Sequence, residues 1–404
     1  MIDLFKMGGI VAAIIILIRL KVPLSIALAG SAAILGWLYH LPFAEITNGM
    51  LKTIISIENI NLILVLELVL LFSAILKENG SMSRAIAALN RLFQDARLTV
   101  AFIPAVVGLL PVVGGAMLSA PLVAEASDEL NLSPERRTFV NYWFRHIWEY
   151  TMPTFSAVFL TAGIVDIPIT ELVKTNVPLT GAAVLTGAYF GFKSVRPVQS
   201  SGGKLKRDMW KDGLDVAWNL MPFFLVILLT LCFDVQLLSS LVLMIIVTIL
   251  LHRMKIHTLI RLSRQHLSVD LAFLIWAMML FKEILLSSGA MVHVAGELSR
   301  MGMPQVILLV IVPAVIAFIT GYTPAMVGLG FPVLLPIIQS SQSIAASTML
   351  ALASGICAHM LSPMHPCYVM TLKYNRASMA KTYRLLVAPA MITFLTGVLF
   401  FMLA

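Results

Sequence analysis

Long apolar runs separated by short polar links are the first pattern along this chain, and a helical bilayer crossing needs roughly 20 apolar residues. Residues 5–18 and 23–37 read as a pair of spans around the tight Arg19-Leu20-Lys21 link, and 61–76 as a third. Residues 82–93, carrying Arg84 and Arg91, predict an amphipathic interfacial helix. The next run, 98–124, is apolar but punctured by Pro104, Gly108, Pro111, Gly114, Gly115 and Pro121. That punctuation predicts a re-entrant helical hairpin over 98–124, because broken backbone at membrane depth persists only where protein or a wet cavity satisfies it. Residues 139–162 then place Arg145, His146, Glu149 and Tyr150 in an apolar helix that Pro153 breaks. Another span, 176–192, leads into a basic stretch that contains Ser200, Ser201, Gly202 and Gly203, the turn-rich composition of a linker.

After that linker the pattern starts over. Spans at 214–233 and 235–251, a basic segment at 252–266 and a span at 271–286 precede a second hairpin at 304–340 and a second broken helix at 345–371. An offset of 209 aligns Phe72 with Phe281, Gly80 with Gly289, Met82 with Met291, Leu89 with Leu298, Arg91 with Arg300 and Pro104 with Pro313. The offset grows to 211 at Pro121 and Pro332, and to 213 where His146 meets His359 and Pro153 meets Pro366. This is an internal repeat. The predicted fold is therefore an all-α polytopic membrane protein of two inverted-topology repeats, each with five crossings and a re-entrant helical hairpin. The first repeat takes 1–192, a basic cytoplasmic linker 193–212 and the second repeat 213–404.

Composition agrees: 59% of the 404 residues are hydrophobic and 12% charged, more apolar surface than a water-soluble fold could hide. The net charge of +8 does not point to nucleic acid, because the basic residues sit in short blocks between spans. With the Arg19 link placed inside, the 28 Lys and Arg residues lie in inside loops except for Lys6, Lys52, Arg145, Lys174, Lys282 and Arg300. Both termini then face outside, and the expected location is the cell (inner or plasma) membrane. Cys232, Cys357 and Cys367 lie in or beside apolar spans, without the spacing of a disulfide framework or a metal motif.

Two polar, Pro-broken helices in matching halves are the strongest pointer to a transporter binding site. Gly114 and Gly115 at the first hairpin tip, and Thr320, Gly321 and Thr323 at the second, free backbone groups and aim a half-helix N-terminus at the membrane centre. Thr151 and Ser362, by position, and His365, between Pro363 and Pro366, join them as candidate substrate ligands. Glu149, His146 and His359 are the candidate ion-coupling residues, since an ionisable group at membrane depth is retained when it is paired, protonated or wet. The chain lacks His-Glu-x-x-His, Gly-x-Ser-x-Gly and a phosphate loop, so it reads as a non-enzyme without a cofactor. An intramembrane hydrolase using His365 or Glu149 is the rival from another class.

Taken together, the inverted halves, the hairpins, the Pro-broken helices and the run Leu361-Ser362-Pro363-Met364-His365-Pro366 resemble the ion transporter superfamily and an uncharacterised prokaryotic branch within it. That group includes dicarboxylate and citrate carriers, gluconate-type permeases and arsenite or sodium/proton carriers. The resemblance implies a homodimer with an elevator-like moving part. Neither hairpin tip reads Ser-Asn-Thr, the tip of the sodium-coupled dicarboxylate carriers. The expected function is secondary active transport of a small organic anion, a carboxylate, coupled to protons or sodium by alternating access. The alternative is a cation/proton antiporter using Glu149 without an organic substrate.

Overall fold

The computed structural model describes residues 2–93, 95–109, 116–198, 209–290, 293–294, 296–297 and 304–404. Among them the chain is helical, with no strand. Helices α1 (Ile2–Arg19), α2 (Leu24–Leu38), α3 (Phe43–Ile55), α4 (Ile57–Glu78) and α5 (Ser81–Leu92) lead into a hairpin of α6 (Ala96–Gly108) and α7 (Ala116–Asp128). Then come α8 (Pro134–His146), a 3-10 turn (Ile147–Tyr150), α9 (Ser156–Val165) and α10 (Ile169–Phe192). The chain continues through α11 (Met209–Cys232), α12 (Leu237–Leu251), α13 (Ile256–His266) and α14 (Val269–Ser287) to a second hairpin. Its arms are α15 (Gln305–Thr320) and α16 (Thr323–Gln339), the latter with a π-helical turn at Met326–Gly330. Helices α17 (Ile344–Met360), α18 (Pro366–Asn375) and α19 (Met379–Leu403) end the chain.

Several boundaries follow directly from side-chain chemistry. Ser56, Ser133, Ser268 and Ser343 accept N–H groups from the first turns of α4, α8, α14 and α17, which would otherwise lack partners. Pro134 stands at the start of α8, where a missing N–H costs nothing. Helices α4, α11 and α19 are long and apolar enough to cross a membrane, and the apolar α2 and α12 are shorter. The hydropathy runs missed α3 and showed 252–266 only as basic. Both α3 and α13 are amphipathic, so their apolar positions recur at helical spacing instead of forming a run.

Polarity is inverted relative to a water-soluble protein. Outward positions such as Trp210, Leu185 and Met402 are largely exposed, while every residue from Thr138 to His146 of α8 is buried. Along α17 every residue from Ala345 to Cys357 is buried too. These two helices form the centre, with α17 packed on α15, α10 and α19, and α8 on α6, α7, α18 and α19. Contacts between the two parts of the chain exchange in pairs: α2 and α3 pack on α14, while α12 and α13 pack on α4. In the same way α9 packs on α16 and α18 on α7.

Charged residues inside the outer spans are tied down. Both oxygens of Glu67, on α4, accept the Ser268 N–H at 3.2 and 3.0 Å, so this carboxylate caps α14. Lys52 pairs with Glu283 at 2.7 Å, and Lys282 donates to the Gly163 carbonyl oxygen at 3.4 Å. Arg91 pairs with Asp212 at 2.7 Å and Arg84 donates to Asn219 at 2.9 Å, joining α5 to α11.

Candidate functional site

The site grows out of two helix breaks. Pro153 has no N–H to donate and disfavours helix in the residue before it, so the chain tightens through Ile147–Tyr150, unwinds to Phe155 and restarts at Ser156. Freed carbonyls at such a break must find donors. Asn176 donates to Tyr150 O at 2.8 Å and Thr180 to Ile147 O at 3.3 Å, while the Trp148 indole ties the break to α6 by donating to Ala105 O at 2.8 Å. In the second break α17 ends at Met360 and α18 restarts at Pro366. Here the Tyr142 hydroxyl donates to Met360 O and the Tyr383 hydroxyl to Leu361 O, each at 3.0 Å.

Between the breaks lies a cavity of about 240 Å³. One wall is apolar, made by Leu66, Val69 and Leu70 of α4 and by Leu271, Leu274 and Met278 of α14. The other is polar. It gathers the first residues of three helices: Thr154, Phe155 and Ser156 at α9, Tyr322 and Thr323 at α16, and His365, Pro366 and Cys367 at α18. None of the three helix N-termini is capped by its own N-cap side chain, and their first residues line the cavity, which brings their partial positive charge to its wall. Arg145, which donates to Val107 O at 3.2 Å, adds a buried guanidinium.

Three imidazoles cluster on that wall. His146 and His365 approach Nε2 to Nε2 at 3.1 Å, and the rings of His359 and His365 meet edge-on with centroids 4.0 Å apart. The outer nitrogens are held by backbone: His146 Nδ1 lies 2.6 Å from Tyr142 O, and His365 Nδ1 3.2 Å from Gly321 O. Among the described residues, His359 Nδ1 and Glu149 Oε2 are buried without a hydrogen-bond partner. Gly321 has φ +62°, and a Cβ there would meet the His365 nitrogen at 2.7 Å, so glycine is what lets the hairpin turn touch the second break. Among the described residues, the atoms of His146, His365 and Cys367 form a group within 4.8 Å of one another, close enough to hold a metal ion.

Of the residues singled out in the sequence, Glu149, His146, His359, Gly321, Thr323 and His365 line this one cavity. Gly114 and Gly115 lie outside the described residues. Three others are not among its lining residues, and their hydroxyls are engaged elsewhere. Thr151 meets the Thr180 hydroxyl at 2.9 Å, Thr320 donates to Ile316 O at 2.7 Å and Ser362 to Phe318 O at 2.6 Å. Sequence reasoning passed over Thr154, Ser156, Tyr322 and Cys367. The signal that finds them is adjacency to a helix restart, since each lies within two residues of one.

Comparison with known proteins fits this architecture. The fold is similar to that of the crystallised Alcanivorax borkumensis YdaH transporter, described as having an unusual topology, with a TM-score of 0.61 at 16% identity and 84% of each chain covered. At that identity the likeness concerns the fold. No curated protein matches the chain. The family model described as "Protein of unknown function (DUF401)" matches residues 3–403, so the chain belongs to the DUF401 family.

Proposed function

We propose that this protein is a secondary active transporter of a small carboxylate, coupled to protons or sodium, belonging to the ion transporter superfamily and distantly similar to its gluconate-type and dicarboxylate carriers. One observation carries the reading: three uncapped helix N-termini and the Arg145 guanidinium face one buried cavity. Helix N-termini favour anions, and in a low-dielectric site that preference is strengthened. At about 240 Å³ the cavity falls below the roughly 300–1,000 Å³ of drug-sized ligand sites, which suits a small anion.

The paired contacts between the two parts of the chain support two inverted repeats, 1–192 and 213–404, joined by the linker 193–212. An exchange of α2–α14 with α12–α4 is what a two-fold axis in the membrane plane generates. The apolar wall supports an elevator-like mechanism: the α4 and α14 residues that line the cavity present apolar side chains on which the site-bearing elements can slide, and the Lys282–Gly163 bond joins α14 to α9. The protein then works as a symporter in the cell membrane, as a homodimer with both termini outside, and without catalysis. The substrate touches Thr323, Ser156 and the N-terminus of α18, and Glu149 carries the coupling charge.

The test is thermal stabilisation of the purified protein by a panel of small carboxylates, each with and without sodium, since a ligand of the native state raises its apparent stability. A carboxylate-specific shift altered by Glu149→Gln is expected. The unpartnered Glu149 Oε2 favours a second reading, a cation/proton antiporter exchanging at Glu149. Shifts with cations or pH alone, and none with any carboxylate, would select it.

A further inference from the structure

The histidine pair has more acceptors than protons. A backbone carbonyl only accepts hydrogen bonds, so His146 Nδ1 must donate to Tyr142 O and His365 Nδ1 to Gly321 O. Two neutral imidazoles own two N–H protons in all, and both are committed to those carbonyls. The inner nitrogens therefore face each other at 3.1 Å as two lone pairs, an arrangement that is repulsive unless a cation lies between them or beside them. Both imidazoles are buried apart from the cavity they line, so only what enters that cavity can relieve it.

A third soft donor completes the geometry. The Cys367 sulfur joins one nitrogen of each imidazole in a group within 4.8 Å, and all three residues line the same cavity. A tetrahedral ion with metal–nitrogen bonds of about 2.0–2.1 Å sets its nitrogen ligands about 3.3 Å apart, close to the spacing seen here. Holding the outer imidazole nitrogen with a backbone carbonyl is also the usual support of a metal-binding histidine, because it fixes the tautomer that leaves Nε2 free. The unpartnered Nδ1 of His359, buried and on the ring packed edge-on against His365, is a further nitrogen at this cluster.

We propose that His146 Nε2, His365 Nε2 and Cys367 Sγ form a binding site for a d-block divalent cation of the Zn2+ class. Two imidazoles and a thiolate select such an ion over sodium, magnesium or calcium, which prefer oxygen ligands. Its remaining coordination position opens to the cavity. The buried carboxylate of Glu149 lines the same space and opposes the positive charge that Arg145 and the metal bring. This goes beyond the transport reading and does not depend on it.

The experiment is metal binding by the full-length protein, stripped with chelator in detergent and dialysed against Zn2+ or Co2+. Expected are one equivalent per chain by elemental analysis and, for Co2+, a near-ultraviolet thiolate-to-metal charge-transfer band. Cys367→Ser should abolish the band and weaken binding at least tenfold, His146→Gln and His365→Gln should reduce binding to background, and Cys232→Ala should change neither. Melting curves identify which variants are folded, and the Cys367→Ser comparison stands even where a histidine variant is not. A folded parent protein that takes up no Zn2+ or Co2+ would overturn the proposal. So would an equivalent that survives Cys367→Ser with the same affinity and spectrum, as adventitious binding by outer histidines such as His257 and His293 would.

Discussion

At the first helix break Arg145, His146 and Glu149 stand on α8 and its 3-10 turn, whereas the second break, from Ser354 to Thr371, carries His359 and His365 and no Asp, Glu, Lys or Arg. The two breaks are also sealed differently. The first uses the fully buried Asn176 and the hydroxyl of Thr180, and the second uses the hydroxyls of Tyr142 and the half-buried Tyr383. One backbone problem, carbonyls freed at membrane depth, has thus been met twice with different donors. A repeated frame therefore need not carry repeated chemistry. The first half supplies Arg145 and Glu149 beside His146 and the α9 N-terminus, whereas the second supplies His359, His365 and two open helix N-termini but no Asp, Glu, Lys or Arg to the lining, so the cavity has a direction that its frame lacks.

The sharpest way to separate the halves is Glu149→Gln. We expect carboxylate uptake into proteoliposomes to fall to background while the ligand-free melting temperature stays level or rises, because a buried carboxylate oxygen without a partner is replaced by a neutral amide. A melting temperature that collapses would instead make Glu149 structural.

Gly321→Ala strikes the other break, where hairpin and restart touch. Positive φ and the contact with the His365 nitrogen should together destabilise by on the order of 1–3 kcal/mol. At the first break, Gly108→Ala has no positive φ but would push a methyl group into the Arg145 carbonyl oxygen, a closer backbone contact than any at Gly321, so its melting temperature should fall at least as far. A clearly larger fall at Gly321 would mean that backbone conformation outweighs the contact.

Removing one sealing donor from each break is a finer test. Asn176→Ala leaves a buried Tyr150 carbonyl unpaired and should cost about 1–3 kcal/mol. Tyr383→Phe exposes the Leu361 carbonyl at a half-buried position, where water can replace the hydroxyl, and should cost about 0.5–1.5 kcal/mol. Reversal of that order in thermal melts would show the second break to be the drier one.

The smallest effect lies outside both breaks, at the start of α6. The hydrogen bonds from the Arg97 side chain hold the Asp95 carboxyl below its usual range. A carboxylate whose folded pKa is depressed contributes stability above its unfolded pKa of about 3.9, and that contribution is lost as pH falls through the lower folded value. Asn caps helices about as well as Asp, so Asp95→Asn should lower stability at pH 7 by less than about 1 kcal/mol, and the gap should close below about pH 4.

Much of the fold was legible because its signals are local. Proline and glycine mark Pro153, Pro366 and Gly321 without any knowledge of neighbours, and Glu149 is conspicuous because an apolar helix makes a carboxylate costly. The hydroxyls misled for an equally local reason. In a helix a Ser or Thr can bond a nearby backbone carbonyl, as Thr320 does with Ile316, so an apparent ligand can be already engaged. Cys367 was read as lacking any metal motif because its neighbour His146 is on a different helix and no spacing rule connects them.

Local sequence thus placed the apolar helices, though not the amphipathic α3 and α13, and marked the breaks at Pro153 and Pro366 and the polar groups at membrane depth, since hydropathy, proline and charge act within a few residues. Only the tertiary structure decided that His146 and His365 meet at 3.1 Å, that α9, α16 and α18 aim their N-termini into one space, and that Ser362 and Thr151 turn away from it. Those facts depend on how α8 and α17 pack in the protein's centre. Packing is set by the summed shape of distant side chains, which no local pattern records.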